Sequence, residues 1–326
     1  MSAAPTSAPE LARFLPASLV GVVSSVVPLH AGLSGARVYA VGAERGEYIL
    51  RVQGDRADRS FRQHVLVQRR AAALGVAPAV VHVDEDAGAV VSVRITGVAL
   101  PAVLADPVQR PLALAGIVEQ LRRLHAMERD GIEPLDAVAF ARGVFEGQRG
   151  RTGFPRWAHA AEPSLDAIAA RLARDPRRVV SHNDLNPGNV LWDGASAWLV
   201  DWEVAALGHP YYDLAALSTF LNLPDDAAHA LLERQEQAPL DAAARATFGD
   251  LRALAALAIG CMFLSLVVDD GLIDVPSRAD APTRAEVHAE LRTGRLAIHA
   301  PRGQAAYGLS MLRAALEDVE GLSGAT

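Results

Sequence analysis

The fold of this chain is indicated by one stretch, SHNDLNPGNVLWDGASAWLVDWE, which covers residues 181–203. Within it, residues 189–192 form a short apolar run, Asp193-Gly194 is a turn signal, and residues 197–200 form a second apolar run. The stretch therefore predicts a β-hairpin centred on Ala195.

A hairpin centred there brings residues whose numbers add up to 390 opposite one another. The facing pairs are Trp192 with Trp198, Leu191 with Leu199, and Asn189 with Asp201. Side chains that face each other across two strands have Cβ atoms roughly 4.5–5.5 Å apart. An amide oxygen and a carboxylate at that separation suit a hard, oxygen-seeking cation such as Mg²⁺, so Asn189 and Asp201 are the predicted metal ligands. Trp192 and Trp198 are predicted to pack on each other.

Asp184 lies five residues before Asn189, in a loop interrupted by Pro187 and Gly188, and it can approach the same space. Transfer of a phosphoryl group to an alcohol requires a metal that neutralises phosphate charge and a separate base that accepts the hydroxyl proton. One carboxylate beside a metal-binding pair meets that requirement.

Residues before this stretch predict a small β-rich region around one helix. β-Prone runs occur at residues 22–29, 38–41, 48–52, 79–83 and 89–95, and helical spacing occurs at residues 60–74. Gly97 and Pro101 mark a hinge, and from about residue 112 the chain is rich in Ala and Leu with helical periodicity. The prediction is a segregated α+β fold with an N-terminal β-rich lobe, residues 1–96, and a larger helical lobe, residues 97–326.

Composition restricts the class of protein. The chain has 326 residues, 51% hydrophobic and 21% charged, which is enough for the packed cores of about two structural units. Cys261 is the single cysteine, which excludes an internal disulfide framework and a multi-cysteine zinc site. A net charge of −7 argues against a nucleic-acid-binding surface. All 31 basic residues are Arg, so any role of a lysine falls to Arg.

No segment is expected to enter a membrane. The longest uncharged apolar run, Ala253–Val268, has 16 residues, fewer than the roughly 18–20 needed to cross a bilayer. Residues 1–15 carry no cationic residue ahead of an apolar stretch, so no secretory signal is expected. A soluble cytoplasmic protein is the expectation, and the sequence assigns no oligomeric state.

An acidic segment surrounds the quoted stretch. Residues 179–233 contain no Arg and eight acids, Asp184, Asp193, Asp201, Glu203, Asp213, Asp225, Asp226 and Glu233. Such a segment can be a solvated face, or a site for metal ions or a cationic substrate, and composition leaves both open.

The order of polar residues in residues 181–203 resembles a known enzyme signature. His182-x-Asp184-x-x-x-x-Asn189, followed by Asp201 at the end of a hairpin, is similar to the catalytic-loop and metal-loop motifs of kinases. The forms His-Asn-Asp and Asp-Trp-Glu resemble the aminoglycoside phosphotransferase and choline kinase superfamily of small-molecule kinases, and within it choline, ethanolamine and thiamine kinases. Further matches are Gly208-His-Pro-Tyr-Tyr-Asp213-Leu-Ala, Leu124-His125 and Gly32-Leu-Ser-Gly35.

That resemblance implies a protein-kinase-like, two-lobed fold and an ATP-dependent phosphotransferase with a small-molecule alcohol as its acceptor. Asp184 would be the catalytic base, His182 would brace its loop, and Asn189 and Asp201 would bind Mg²⁺. The remaining implied contacts are Gly32, Ser34 and Gly35 over the ATP phosphates, Arg51 on the phosphates, the backbone at Arg94 and Thr96 against adenine, and Trp202 and Glu203 facing the acceptor.

The chain departs from this family at two positions. The phosphate-binding lysine of the third strand is replaced by Arg51, and the helix glutamate that usually pairs with it falls near His64, with Gln63 and Gln68 as neighbours. Arg presents a planar fork of donors where Lys presents a point charge, so the exchange is not conservative.

The predicted function is phosphoryl transfer from ATP to a cationic amino alcohol of the choline, ethanolamine or thiamine type. An aminoglycoside-type antibiotic phosphotransferase is the alternative among enzymes, because aminoglycosides are also polycations. A catalytically silent protein that binds nucleotide or a small ligand is the alternative of another class, motivated by Arg51 and His64. A protein kinase is disfavoured, because the chain runs from Asp201 to Tyr212 without room for a long peptide-docking segment.

Overall fold

A computed structural model describes residues 11–29, 36–53, 59–268, 271, 273, 275 and 277–323. The chain divides into two compact units. The first consists of Met1–Glu133 and Val179–Leu207, and the second of Pro134–Arg178 and Gly208–Thr326. The lobe boundary expected between residues 96 and 97 divides the chain differently and stays a prediction.

The first unit is built on a five-stranded antiparallel sheet with the strand order β1-β2-β3-β5-β4. Its strands are β1 Val23–Leu29, β2 Arg37–Ala43, β3 Gly46–Val52, β4 Val80–Asp84 and β5 Ala89–Val93. All five coincide with predicted β-prone runs, which confirms the β-rich N-terminal region.

Helices of the first unit lie before, between and after these strands. Those described over their whole length are α1 Ala17–Val20, α2 Arg59–Ala73, α3 Leu100–Val103 and α4 Gln109–His125. Helix α2 confirms the helix predicted over residues 60–74, and its sequence RSFRQHVLVQRRAAA contains no acid. The chain turns after it at Gly75, whose φ of 70° lies in the left-handed region that glycine adopts at little cost.

The two faces of the sheet are distinguished along β3. Leu50 is fully buried in one hydrophobic core. Arg51 lies on the other face, opposite Val90 of β5, because successive side chains of a strand point to opposite faces. Val90 packs with Phe61 of α2. Arg51 and α2 therefore share one face of the sheet.

Five short strands complete the β-structure described in and around the first unit. They are β6 Val98–Ala99, β7 Val179–Ser181, β8 Val190–Trp192, β9 Ala197–Leu199 and β10 Ala206–Gly208. Strand β8 lies between β6 and β9, and β7 pairs with β10.

The predicted hairpin is present as β8 and β9, but its register differs from the prediction by one residue. Trp192 faces Ala197, and Leu191 faces Trp198. A shift of one residue moves side chains to the opposite face of a strand pair. Trp192 and Trp198 therefore project from opposite faces, and the predicted tryptophan packing pair is wrong.

The turn of the hairpin explains the shift. The carboxylate of Asp193 accepts hydrogen bonds from the backbone N–H groups of Ala195 and Ser196, at 2.8 and 2.7 Å, in the manner of an Asx turn. This turn closes a shorter loop than the one predicted. Asn189 consequently lies next to Val200, whose N–H donates to the Asn189 carbonyl at 3.0 Å, and not directly opposite the following aspartate as predicted.

The second unit is helical in its described part. Its α-helices are α5 Ala137–Arg149, α6 Ala161–Leu172, α7 Tyr212–Phe220, α8 Asp225–Glu236, α9 Ala242–Ser265, α10 Arg284–Arg292 and α11 Pro301–Ser323. Helix α9 is the core helix and lies against α5, α7 and α11. Cys261 is buried within it. The segregated α+β class predicted from the sequence is confirmed.

Helix α9 is also the one helix in the described part of the chain that is long and apolar enough to cross a bilayer. However, 78% of its most apolar 18-residue stretch is buried inside the protein, and a core helix passes the same test of length and composition.

Candidate active site

The predicted catalytic loop follows β7 and is shaped by a left-handed residue. Asn183 has a φ of 61°, a conformation that Asn adopts more readily than most residues. Its side-chain amide donates to the carbonyls of Ser181, Val204 and Ala206, at 3.2–3.4 Å. These bonds fasten the start of the loop to the segment that follows the hairpin, and sequence reasoning gave Asn183 no such role.

Asp184 is held by two asparagine amides. Its Oδ1 accepts from Asn186 at 3.1 Å, and its Oδ2 accepts from Asn189 at 2.8 Å. Asn189 also donates to the backbone carbonyl of Asp184 at 2.9 Å. The amide hydrogens of Asn189 thus face Asp184, and its amide oxygen is the atom that it can offer to a cation.

The environment of Asp184 raises its pKa above the ordinary value of an aspartate. Burial is the largest cause, because it disfavours the charged form, and the negative charge of Asp201 acts in the same direction. The electrostatic influence of nearby His182, followed by the hydrogen bonds from Asn186 and Asn189, partly opposes both effects. The influence of Asp201 indicates that the predicted base and the predicted metal ligand lie within electrostatic reach of each other.

Asn186 also closes the loop locally. Its Oδ1 accepts from the backbone N–H of Gly188 at 2.8 Å and begins a single 3₁₀ turn, Pro187–Asn189. Sequence reasoning missed Asn186, although an Asn directly before Pro-Gly is a recognisable turn signal.

His182 contacts the segment that leads to Asp201, a position compatible with the bracing role that stays a prediction. The side chain is fully buried, and Nε2 lies 2.9 Å from the carbonyl of Val200, immediately before Asp201. A hydrogen bond donated from Nε2 to this carbonyl connects the start of the catalytic loop to the end of β9. The imidazole ring also contacts the indole of Trp202, with ring centroids 4.8 Å apart.

Trp202 is interior, which corrects the expectation that it faces the acceptor. Its side chain is 1% exposed, and its indole Nε1–H donates to the carbonyl of Leu199 at 3.0 Å. Strand alternation is interrupted here, because Asp201 adopts a left-handed φ of 66°. This turn leaves the Asp201 carboxylate partly exposed while it directs the next side chain inward.

Arg51 bridges the two acids of the Asp-Trp-Glu motif. Its Nη1 donates to Oδ1 of Asp201 at 2.7 Å, and its Nη2 donates to Oε2 of Glu203. The side chain of Arg51 is 13% exposed, and those of Asp201 and Glu203 are 29% and 24% exposed. Glu203 was expected to face the acceptor, and its described contact is instead with the cation of β3.

Helix α2 offers uncharged partners at the positions where the family resemblance leads one to expect a glutamate. His64 is 3% exposed, and burial, together with the charge of Arg51, lowers its pKa to about 4, so the ring is neutral at pH 7. Its Nε2 lies 3.2 Å from Oε1 of Gln68, and the side-chain Nε2 of Gln68 donates to Oγ of Ser92 in β5 at 2.9 Å. Gln63 donates to the carbonyl of Ala205 at 2.9 Å, so it contacts the segment beyond the Asp-Trp-Glu motif.

The expected nucleotide contacts are only partly described. Gly32, Ser34 and Gly35 lie outside the described residues. Arg94 and Thr96 are exposed in the irregular segment between β5 and β6. The Arg94 guanidinium pairs with Glu47 at 3.3 Å, and its backbone N–H donates to the Glu47 carbonyl at 2.9 Å. Their contact with adenine stays a prediction.

The described residues contain no group of three or more His, Cys, Asp or Glu side chains arranged to hold a metal ion. Asn189 and Asp201 are only two predicted ligands, and one of them is an amide, so the pair does not count as such a group. The site therefore consists of Asp184 with its two asparagines, His182 behind them, and Asp201 held by Arg51.

Solved structures share the fold of this chain. A choline/ethanolamine kinase family protein from Mesorhizobium loti is 21% identical with a TM-score of 0.65, over 94% of this chain and 98% of that one. Choline kinase LicA from Streptococcus pneumoniae is 17% identical with a TM-score of 0.64, over 96% and 97%. A thermostable mutant of aminoglycoside phosphotransferase APH(4)-Ia, in ternary complex with ADP and hygromycin B, is 19% identical with a TM-score of 0.61, over 95% and 97%.

Identities this low establish a common fold and do not decide a substrate. No match was found among curated proteins. The sequence profile of a family described as "Phosphotransferase enzyme family" matches residues 25–257, which is well over half of the chain and includes the whole candidate site. The chain belongs to the phosphotransferase enzyme family.

Proposed function

We propose that this protein is an ATP-dependent small-molecule kinase that transfers the γ-phosphoryl group to a hydroxyl group of a cationic amino alcohol. The observation that carries the proposal is the environment of Asp184. A half-buried carboxylate with a raised pKa, fixed by Asn186 and Asn189 and influenced by the charge of Asp201, is suited to accept a hydroxyl proton beside a charged phosphate.

Each side chain of the site has a separate role in this proposal. Asp184 orients the acceptor hydroxyl and takes its proton, and Asn186 and Asn189 hold the carboxylate in place. His182 fixes the distance between this loop and Asp201 through the Val200 carbonyl. Catalysis of phosphoryl transfer is mostly positioning and charge stabilisation, and these residues supply the positioning.

The donor set fits Mg²⁺. A carboxylate and an amide oxygen are hard ligands of the kind that Mg²⁺ prefers, and the bond from Arg51 to Asp201 indicates that a cation can reach that carboxylate. Asn189 and Asp201 would hold the ion, which when bound would neutralise phosphate charge. The AMP complex of LicA and the ADP complex of APH(4)-Ia support a nucleotide as the phosphate donor. A cytoplasmic location, where ATP is supplied, is part of the same proposal.

The acidic segment gives less support to a cationic acceptor than its sequence suggested. Four of its eight acids pair with an Arg from outside the segment. Asp225 pairs with Arg252 at 2.5 Å, and Glu233 pairs with Arg245 at 2.9 Å. Asp201 and Glu203 likewise pair with Arg51. An amino alcohol acceptor is supported instead by the Asp-Trp-Glu form and by the fold shared with choline and ethanolamine kinases.

A second candidate is phosphorylation of an aminoglycoside antibiotic. It is favoured by the APH(4)-Ia complex with hygromycin B, which covers 95% of this chain with a TM-score close to those of the choline kinases.

One experiment separates these functions. ADP release is measured with Mg·ATP and a panel containing choline, ethanolamine, thiamine, hygromycin B and a neutral sugar, for wild type and for the Asp184→Asn and Asp201→Asn variants. Each variant is expected to lower kcat by roughly 10²–10⁴-fold, the usual contribution of a general base or a charge-stabilising group. Asp86→Asn, an exposed turn acid, is the control and should retain wild-type turnover.

The three candidate functions predict different results in this assay. Turnover of an amino alcohol that both site variants abolish supports the proposal, and a strong preference for hygromycin B supports the antibiotic kinase. Silence with every acceptor, while ATP still binds, supports a protein that binds nucleotide without catalysis.

A further inference from the structure

Arg51 is a cation with little solvent around it, and it needs a negative partner. Its side chain is 13% exposed on the face of the sheet that α2 covers. Unpaired charges in such places are costly, so buried cations are normally paired. Helix α2, which packs on that face, contains no Asp or Glu.

The helix supplies a neutral group where a negative one could have paired with Arg51. His64 is buried, hydrogen-bonded to Gln68 and uncharged at pH 7. It therefore cannot hold the guanidinium by charge. The negative partners must come from another part of the chain.

Asp201 and Glu203 are such partners, and only Asp201 is also a proposed metal ligand. Arg51 contacts them through different nitrogens, Nη1 for Asp201 and Nη2 for Glu203. Because a guanidinium presents its donors in a rigid fork, one of these bonds can break while the other keeps the group in place. Asp201 is the carboxylate proposed to bind a divalent cation, and Glu203 has no other described partner for its carboxylate.

We propose that Glu203 is a positioning residue that anchors Arg51, so that Asp201 can exchange the guanidinium for a metal ion while the guanidinium stays near the nucleotide phosphates. The proposal rests on the function proposed above. It makes Glu203, the last residue of the Asp-Trp-Glu motif, the residue that holds the cation expected to bind the phosphates. Without this anchor, the guanidinium keeps its bond to Asp201 and competes with the metal for that carboxylate.

A double-mutant cycle tests the proposal. KM for ATP and kcat are measured with an acceptor that wild type turns over, for wild type, Arg51→Gln, Glu203→Gln and the double variant. Each single substitution should raise KM for ATP roughly tenfold, the effect of losing one hydrogen bond to a charged group. In the double variant KM for ATP should also rise by only about tenfold, because Glu203 acts through Arg51.

Other roles of Glu203 give different results. If Glu203 binds metal or substrate independently of Arg51, the effects multiply to roughly a hundredfold in the double variant, and the proposal is overturned. If Glu203 only stabilises the fold, Glu203→Gln lowers stability without raising KM, which also overturns it. Glu203→Asp keeps the charge but shortens the side chain, so it should raise KM as Glu203→Gln does. A wild-type KM in this variant contradicts a positioning role.

A second readout does not depend on turnover. Urea unfolding of the four nucleotide-free proteins should show a coupling between residues 51 and 203 of roughly fivefold or more in the unfolding equilibrium constant. Glu85→Gln is the matched control, because it removes the acid of an exposed pair with Arg62 at 3.5 Å, and it should leave KM for ATP unchanged.

The two proposals fail in distinguishable ways. If wild type turns over no acceptor, the proposed function fails, and the unfolding cycle still reports on the pair of Arg51 and Glu203. If wild type is active but the KM effects multiply, the anchoring role fails and the proposed function stands.

Discussion

Replacing Trp202 by Phe separates a core side chain from a substrate-facing one. The indole lies directly after Asp201, is 1% exposed, and contacts the imidazole of His182. Its Nε1–H donates to the Leu199 carbonyl at 3.0 Å. Phe keeps an aromatic ring but loses this donor and the second ring.

The magnitude follows from these two losses. A buried hydrogen bond of this kind contributes about 1 kcal/mol net. The smaller ring leaves buried apolar area unfilled, which costs about another 1–2 kcal/mol. The Trp202→Phe variant should therefore lose about 2–3 kcal/mol of the free energy of unfolding. Because the indole does not reach the surface, KM for the acceptor should change by less than about twofold.

Urea denaturation followed by far-UV circular dichroism measures the first quantity, and the ADP-release assay measures the second. Trp198→Phe is the matched control, because Trp198 is partly exposed and donates its Nε1–H to Asp193 on the hairpin surface. It should cost less than about 1 kcal/mol. A Trp202→Phe protein with wild-type stability and a tenfold higher KM for the acceptor would refute the interior assignment.

Two further predictions concern stability. Burial lowers the pKa of His64 and His209 from 6.5 to about 4, so between these pH values the unfolded chain binds more protons than the folded protein. The free energy of unfolding should therefore fall as the pH falls from 6.5 to 4. The expected slope is on the order of 1 kcal/mol per pH unit for each histidine. Urea titrations across this range check it, and a His64→Gln variant with an unchanged slope would contradict it. In the second unit, Gly303→Ala places a Cβ 2.1 Å from the Ala297 carbonyl oxygen and should lower the free energy of unfolding by about 3 kcal/mol. Gly143→Ala, with nothing within 4 Å, should raise it by about 0.5–1 kcal/mol, and urea unfolding of the pair decides whether close packing is the cause.

Local patterns predicted much of this protein correctly. The strands of the first sheet and helix α2 follow from runs of β-prone and helically spaced residues, and these depend on near neighbours. The pairing of Asp184 with Asn189 was also foreseeable, because the two are five residues apart around a Pro-Gly turn. Sequence reasoning went wrong at the hairpin register, because a single side chain, Asp193, sets the length of the loop.

By itself, the sequence determined the fold class and the family, because the residues of the signature lie within one short stretch whose spacing is fixed by the chain. Tertiary structure alone decided which charges meet. Arg51 reaches Asp201 across 150 positions, Arg252 reaches Asp225, and Trp202 turns inward. Such contacts depend on which face of a sheet or helix a residue occupies and on the packing of elements far apart in sequence, and spacing along the chain does not specify either.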